Sequence, residues 1–306
     1  MKQTVRRTNR RDFFVKSLRV GLSLALTGCA SEPVMTQPTP TPVVRLVEVT
    51  RLVEKVVEVT KIVGRTTPTP SSPKNQENIM IWYVDIEHEK ALADPKLRPN
   101  FDEVRAHRAQ VCSLASGVPC EAIFYQQVNW DLAHQKNIKG IAISGNITDW
   151  AEYDFKTFQP LFDLVKSGEF AVIGFCGGHQ LIGLMYGARC DAIRKLKPGE
   201  TDQGGFAPGW FKEVGYMPAH VVMGDPIFEG LGHDPIFFES HYWELKEVPK
   251  GFELLASTDN VPVTAIKHRD YPIYGTQFHP EVNSVENRDG FTLLENFFRT
   301  TGIRKT

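Results

Sequence analysis

Short apolar runs alternate with amphipathic stretches between residues 78 and 304. Four of the runs have the length of buried β-strands: 79–84, 122–125, 140–145 and 171–175. The stretch 154–167 repeats apolar residues at helical spacing, which predicts an amphipathic helix. Near-continuous apolar strands that alternate with helices are typical of a parallel sheet covered on both faces. We therefore predict an open, mostly parallel, flavodoxin-like α/β sheet with helices on both faces.

The second half of this domain is richer in strand patterns. Runs at 252–256, 263–266 and 273–278 predict further strands, and 289–299 predicts a last helix. In the first half, Asn100 is a candidate cap for a helix that begins at Phe101. About 225 residues are enough for a large core without disulfides.

A proline- and threonine-rich segment precedes the predicted domain. Residues 37–42 and 67–73 contain most of the prolines, and 47–53 recurs with small changes as 57–63. Alternation and β-branched residues favour an extended strand there, whereas the apolar spacing also fits a heptad pattern. We predict that 30–77 is a disordered or extended linker.

The first 29 residues have the layout of a cleavable export signal. Basic residues come first, and an apolar run at 20–26 is too short to span a membrane. Arg10-Arg11 followed by two phenylalanines resembles a twin-arginine signal, and 26–29 resembles a bacterial lipobox that ends at Cys29. Lipidation of Cys29 would anchor the mature protein to a bacterial membrane, outside the cytoplasm. A basic amphipathic start with a chance cysteine is the alternative.

Composition and charge limit the classes of partner and cofactor. The formal net charge is −1, but residues 1–28 hold seven basic residues and one acid, so the rest is acidic. An acidic body fits nucleic acid poorly, and we expect no nucleic-acid partner. We expect no metal, because no His or Cys residues stand at metal-ligand spacing, and no nucleotide cofactor motif occurs. Cys112 and Cys120 are eight residues apart, and we expect them to be free thiols rather than a disulfide.

The first candidate for chemistry is the junction of a strand and a helix at 174–180. Small residues flank Cys176, as a sharp strand-to-helix turn requires. Such a turn presents its side chain at the carboxyl end of the sheet, where a helix N-terminus favours a thiolate. The amide of Gly177 is then free to face an oxyanion. A buried structural cysteine is the alternative.

The second candidate is His279-Pro280-Glu281, at the end of another predicted strand. His279 and Glu281 are two residues apart and therefore can point to one face. A histidine held by a carboxylate is a possible general base for a nearby nucleophile. Alone, this short motif fits a solvent-exposed turn equally well.

Together the two motifs resemble the class I glutamine amidotransferase family. Gly-x-Cys-x-Gly-His-Gln at 174–180 and Gly-Thr-Gln-Phe-His-Pro-Glu at 275–281 stand about a hundred residues apart, and the resemblance covers about 79–300. It implies that Cys176 attacks a γ-glutamyl amide, that His279 acts as base and then acid, and that Glu281 orients His279. Release of ammonia or an amine leaves a thioester, which water hydrolyses.

The same resemblance implies further site residues. The loop at Ser144-Gly145-Asn146 matches the family's oxyanion loop, although Asn146-Ile147 replaces the usual Gly-Pro. Asparagine tolerates a left-handed backbone, which would still present the amide. Gln180 matches a residue that lines the substrate pocket, and His241 lies in a segment near the substrate.

These expectations favour a stand-alone hydrolase outside the cytoplasm, acting on glutamine, γ-glutamyl peptides or γ-glutamyl amines. No synthetase domain accompanies the resemblance within the 306 residues. One alternative is an amidotransferase subunit that supplies ammonia to a separate synthetase. Another is a lipid-anchored binding protein that has lost turnover, which the unusual Asn146 suggests.

Overall fold

A computed structural model describes residues 79–305. The predicted export signal at 1–29 and linker at 30–77 lie outside the described residues. The strands are β1 (Met80–Asp85), β2 (Cys120–Phe124), β3 (Ile138–Ile143), β4 (Ala171–Phe175), β5 (Cys190–Ala192), β6 (Glu213–Pro218), β7 (His220–Val221), β8 (Ile236–His241), β9 (Trp243–Leu245), β10 (Phe252–Ser257), β11 (Ala265–His268) and β12 (Ile273–Thr276).

Six α-helices connect and cover these strands in the described part of the chain. They are α1 (Glu89–Ala93), α2 (Arg98–Ser116), α3 (Trp130–Gln135), α4 (Gln159–Ser167), α5 (Gly177–Met185) and α6 (Asp289–Thr300). Short 3-10 helices occur at Tyr125–Gln127, Trp150–Glu152, Phe155–Phe158 and Pro226–Phe228. No helix in this part of the chain is long and apolar enough to cross a membrane.

Eight strands form one open sheet in the order β2-β1-β3-β4-β12-β11-β10-β7. The first five run parallel, while β11, β10 and β7 pair antiparallel. The parallel strands end at one edge, so the segments after β3, β4 and β12 meet there. The predicted open, mostly parallel sheet is confirmed.

Helices cover both faces of this sheet, as predicted. Alternate residues of β1 point to opposite faces: Trp82 and Val84 pack with residues of α4 and α5, whereas Ile81 and Tyr83 pack with residues of α2 and α6. The two apolar clusters account for the near-continuous apolar strands, because a strand buried on both faces needs apolar residues at every position.

Two local predictions were wrong. Asn100 does not cap a helix, because α2 already begins at Arg98 with a proline in its first turn and Leu97 before it. The strand predicted at 263–266 forms instead at Ala265–His268. The five strands β5 to β9 were not predicted, since they are short or expose alternate residues. Cys112 and Cys120 are both free thiols in the described structure, as expected.

Candidate active site

Cys176 occupies the sharp turn between β4 and α5. Its backbone has φ +48° and ψ −104°, a conformation that costs a non-glycine residue about 1–3 kcal/mol. The turn is tight: a Cβ on Gly174 would lie 2.5 Å from the backbone of Gly178, and one on Gly178 would lie 2.4 Å from the Ile143 oxygen. Glycine is therefore required on both sides of the strained cysteine. The thiol is held in place by the fold at the carboxyl edge of the sheet.

His279 and Glu281 follow β12, the strand that pairs with β4. The Nδ1 atom of His279 lies 2.8 Å from Oε1 of Glu281, and the backbone amide of His279 donates to the oxygen of Phe238 at 2.8 Å. Since a carboxylate only accepts hydrogen bonds, Nδ1 is the protonated nitrogen, and Nε2 is left for Cys176. The glycine at 145 lies between the two partners, because a Cβ there would be 3.1 Å from the His279 ring and 3.4 Å from Cβ of Cys176.

The electrostatics of this set favour an imidazolium. Burial lowers the pKa of His279, but the Glu281 carboxylate and the Cys176 sulfur raise it further, to about 10. Burial raises the pKa of Glu281, whereas His279 and Arg108 lower it, with a net decrease. Arg108 lies 3.8 Å from Oε1 of Glu281. The arrangement stabilises a thiolate–imidazolium pair next to an ionised carboxylate.

The loop after β3 lies against the start of α5. A Cβ on Gly177 would lie 3.0 Å from the amide nitrogen of Asn146, so these two backbone amides are close neighbours. Among residues 79–305 neither amide has a protein acceptor. The predicted left-handed backbone at Asn146 is wrong: the positive-φ residues other than glycine in this range are Asn137, Cys176 and Ala207.

Side-chain hydrogen bonds hold this loop instead. The Asn146 amide group donates to the Thr148 oxygen at 2.7 Å and to the Tyr153 hydroxyl at 3.2 Å. The buried Glu87 carboxylate accepts from the Ile147 amide at 2.7 Å and from the Thr148 hydroxyl at 2.6 Å. The motif analysis missed Glu87, although its position just beyond the carboxyl end of β1 was a usable signal.

Two cavities, of about 240 and 300 Å³, meet at Cys176. The larger cavity is lined by Gln180 and His241, together with Trp150, Ser240 and Tyr242. The amide of Gln180 is fully engaged: it accepts from the Trp150 indole at 2.9 Å and donates to the Trp243 oxygen and the Gln277 side chain. The structure therefore places Gln180 as a wall that fixes the shape of this cavity.

The smaller cavity lies on the other side of Cys176. Its lining includes His279 and Glu281, and also Arg105, Arg108 and Glu87. His241 does not turn its ring nitrogens into the larger cavity, because Nδ1 lies 2.8 Å from the Trp243 oxygen and Nε2 lies near Glu213 and Glu239. The two buried glutamates were not singled out from the sequence.

Comparisons with known proteins agree with this geometry. The family profile for glutamine amidotransferase class-I matches residues 82–301. A subunit of the glutamine-hydrolyzing GMP synthase of Methanocaldococcus jannaschii is 32% identical over 174 residues, which is 57% of this chain and 80% of that protein. The corresponding GMP synthase subunit of Methanococcus vannielii is 29% identical and is covered over 92% of its length, against 65% of this chain.

A solved structure has the same fold. It is a Thermoplasma acidophilum protein provisionally assigned as the same GMP synthase subunit, with a TM-score of 0.56 and 23% identity, covering 74% of this chain and 96% of that one. The family profile spans the sheet, the elbow at Cys176 and the segment that carries His279 and Glu281. This chain therefore belongs to the class I glutamine amidotransferase family.

Proposed function

We propose that this protein hydrolyses the side-chain amide of glutamine and supplies the ammonia to a separate synthetase. The observation that carries the proposal is the strained Cys176 elbow beside the hydrogen-bonded pair of His279 and Glu281. The relatives' names describe subunits of a glutamine-hydrolysing synthase, which favours this role over the stand-alone hydrolase expected from the sequence.

In the first half of the proposed reaction, the Cys176 thiolate attacks the γ-carbonyl carbon of glutamine. The carbonyl π electrons move to oxygen, and the amides of Gly177 and Asn146 donate to the resulting oxyanion. His279 then gives its proton to the leaving nitrogen, the C–N bond breaks, and ammonia departs. A γ-glutamyl thioester remains on Cys176.

In the second half, neutral His279 takes a proton from a water molecule, which attacks the thioester carbon. The second tetrahedral intermediate collapses, the C–S bond breaks, and glutamate leaves while the thiolate is restored next to an imidazolium. Glu281 holds Nδ1 throughout, so that Nε2 faces the reacting atoms. Glutamine would occupy the larger cavity, which Gln180 and Ser240 line beside Cys176.

The test uses the full-length protein and glutamine labelled with ¹⁵N in the side-chain amide. We expect glutamate release that is absent in Cys176→Ala, and faster release when the synthetase component of a GMP synthase and its substrates are added. In that mixture the label should enter the aminated product even when unlabelled ammonium is in excess. Glutamate release with no transfer of label and no acceleration would contradict the proposal of a synthetase partner.

A stand-alone γ-glutamyl hydrolase outside the cytoplasm is the second candidate. The order of Arg10-Arg11 and Cys29 supports it, since export separates a protein from ATP-dependent synthetases. This candidate predicts rapid turnover of γ-glutamyl peptides or amines without any partner. A glutamine-like electrophile that fails to label Cys176 would instead favour the binding protein that has lost turnover.

A further inference from the structure

Three buried side chains converge on one face of the small sheet formed by β6 and β8. In the register of this antiparallel pair, Glu213 lies opposite His241, and Glu239 lies opposite Gly215. Residues 239 and 241 share a face because side chains alternate along a strand. The exposed fractions of Glu213, Glu239 and His241 are only 1%, 1% and 3%. Two carboxyl groups and an imidazole therefore meet away from solvent.

The atoms that meet are the ones without hydrogen-bond partners. Nε2 of His241 lies 3.2 Å from Oε2 of Glu239 and 3.4 Å from Oε2 of Glu213. All three atoms are buried and unpartnered within residues 79–305, and they lie within 4.8 Å of one another. A buried carboxylate oxygen without a donor is costly, so three such atoms at one point indicate a missing positive charge.

The tautomer of His241 strengthens this argument. Nδ1 lies 2.8 Å from the backbone oxygen of Trp243, and a carbonyl oxygen only accepts, so Nδ1 carries a proton. The neutral ring therefore presents the Nε2 lone pair to the two carboxylates. A histidine that donates from one nitrogen to a backbone carbonyl and offers the other as a lone pair has the usual arrangement of a metal ligand.

The surroundings of Glu213 fit the same interpretation. Its other oxygen, Oε1, accepts from the Thr258 hydroxyl at 2.7 Å and from the Asn260 side chain at 3.1 Å. These two donors fix the carboxylate so that Oε2 points at the His241 ring. Ligand carboxylates in metal sites are held by hydrogen bonds of this kind.

We propose that Glu213, Glu239 and His241 bind a divalent transition metal ion such as Zn²⁺. Ligands on a tetrahedral ion with bonds of about 2.1 Å lie about 3.4 Å apart, close to the 3.2 and 3.4 Å separations from His241. The ion neutralises both carboxylates, and three protein ligands leave one coordination position for solvent. The sequence predicted no metal because its ligands lie on separate strands, 26 or more residues apart for Glu213.

The ion would stabilise one wall of the active site and does not depend on the proposed reaction. Ser240, between two of the ligands, lines both cavities beside Cys176. The oxygen of Phe238, one residue before Glu239, accepts from the His279 amide. A shared proton in place of the metal is the competing arrangement, in which an imidazolium lies between the two carboxylates.

The experiment uses full-length Cys176→Ala protein, which removes the reactive thiol as a competing zinc ligand. After treatment with EDTA and dialysis, the protein is titrated with Zn²⁺ and, separately, with Mn²⁺, which binds thiolates poorly. Bound metal is measured by mass spectrometry and thermal stability by calorimetry. We expect one Zn²⁺ per chain and a higher melting temperature.

Glu213→Gln and Glu239→Gln each keep the shape of the side chain while removing a ligand charge. We expect both to weaken Zn²⁺ binding by at least about 100-fold, and Asn260→Ala to weaken it about 10- to 100-fold. Glu253→Gln, at a partly exposed carboxylate elsewhere, is the matched control. Equal binding by all variants, or no binding by the parent protein, would overturn the proposal and favour the shared proton.

Discussion

At the scale of single residues, the proton on His279 decides whether Cys176 is a nucleophile. The Glu281 carboxylate and the sulfur raise the pKa of His279 to about 10 despite burial. A raised pKa means that the imidazolium, and with it the thiolate partner, persists from neutral pH up to about pH 10. Glu281 matters electrostatically as well as for the orientation of the ring.

Glu281→Gln should therefore change the pH dependence of Cys176 reactivity. Without the carboxylate charge the pKa of His279 falls, and the ion pair reverts to neutral thiol and imidazole at neutral pH. We expect alkylation of Cys176 by iodoacetamide to be slower in the variant at pH 6–7 and to recover only at high pH. Alkylation rates across pH for the variant, the parent and the control Glu253→Gln test this. Identical profiles would contradict an electrostatic role for Glu281.

Glu87 provides a second prediction at this scale. Its carboxylate accepts from the Ile147 amide and the Thr148 hydroxyl, and so fixes the loop that carries the Asn146 amide. Glu87→Ala removes both bonds and allows the loop to move. Because small displacements of a catalytic group are costly, we expect kcat for glutamine to fall about 10- to 100-fold. Thr148→Ser, which keeps the hydroxyl, is the control, and an unchanged kcat in Glu87→Ala would refute the role.

At the scale of secondary structure, the parallel strands and the elbow were predictable because local patterns determine them. Apolar runs are sufficient to locate β1, β3 and β4, since these strands are buried on both faces. The glycines around Cys176 indicate a tight turn without any knowledge of tertiary contacts. By contrast, the meeting of Glu213 with His241 depends on the register of β6 and β8, which no local pattern fixes.

Helix α6 lies on the face opposite α4 and α5, and it contributes stability rather than chemistry. Phe297 is fully buried and packs edge-to-face against Tyr274 and Phe298. Phe297→Ala removes this packing and leaves a cavity, so the free energy of unfolding should fall by about 3–5 kcal/mol. Urea unfolding measures this loss, while KM for glutamine at low temperature should stay unchanged. A loss below about 1 kcal/mol would show that the core relaxes around the cavity.

At the scale of the whole molecule, location decides between a separate hydrolase and a component of a synthetase. The catalytic fold is common to both, because its geometry depends only on residues within 82–301. The features that distinguish them lie in the first 29 residues, where Arg10-Arg11 precedes Cys29. A lipid anchor on Cys29 would place the active site outside the cytoplasm, away from ATP.

Cys29→Ser tests this in a bacterium that processes lipoproteins. If the anchor forms, the parent protein fractionates with membranes, begins at an acylated Cys29 by mass spectrometry, and leaves the membrane fraction when Cys29 is replaced. Cys120→Ser is the control, since it removes another free thiol without touching the signal. A soluble parent protein that still carries its first 28 residues would contradict export and would favour the synthetase component, because ammonia released in the cytoplasm is released where synthetases work.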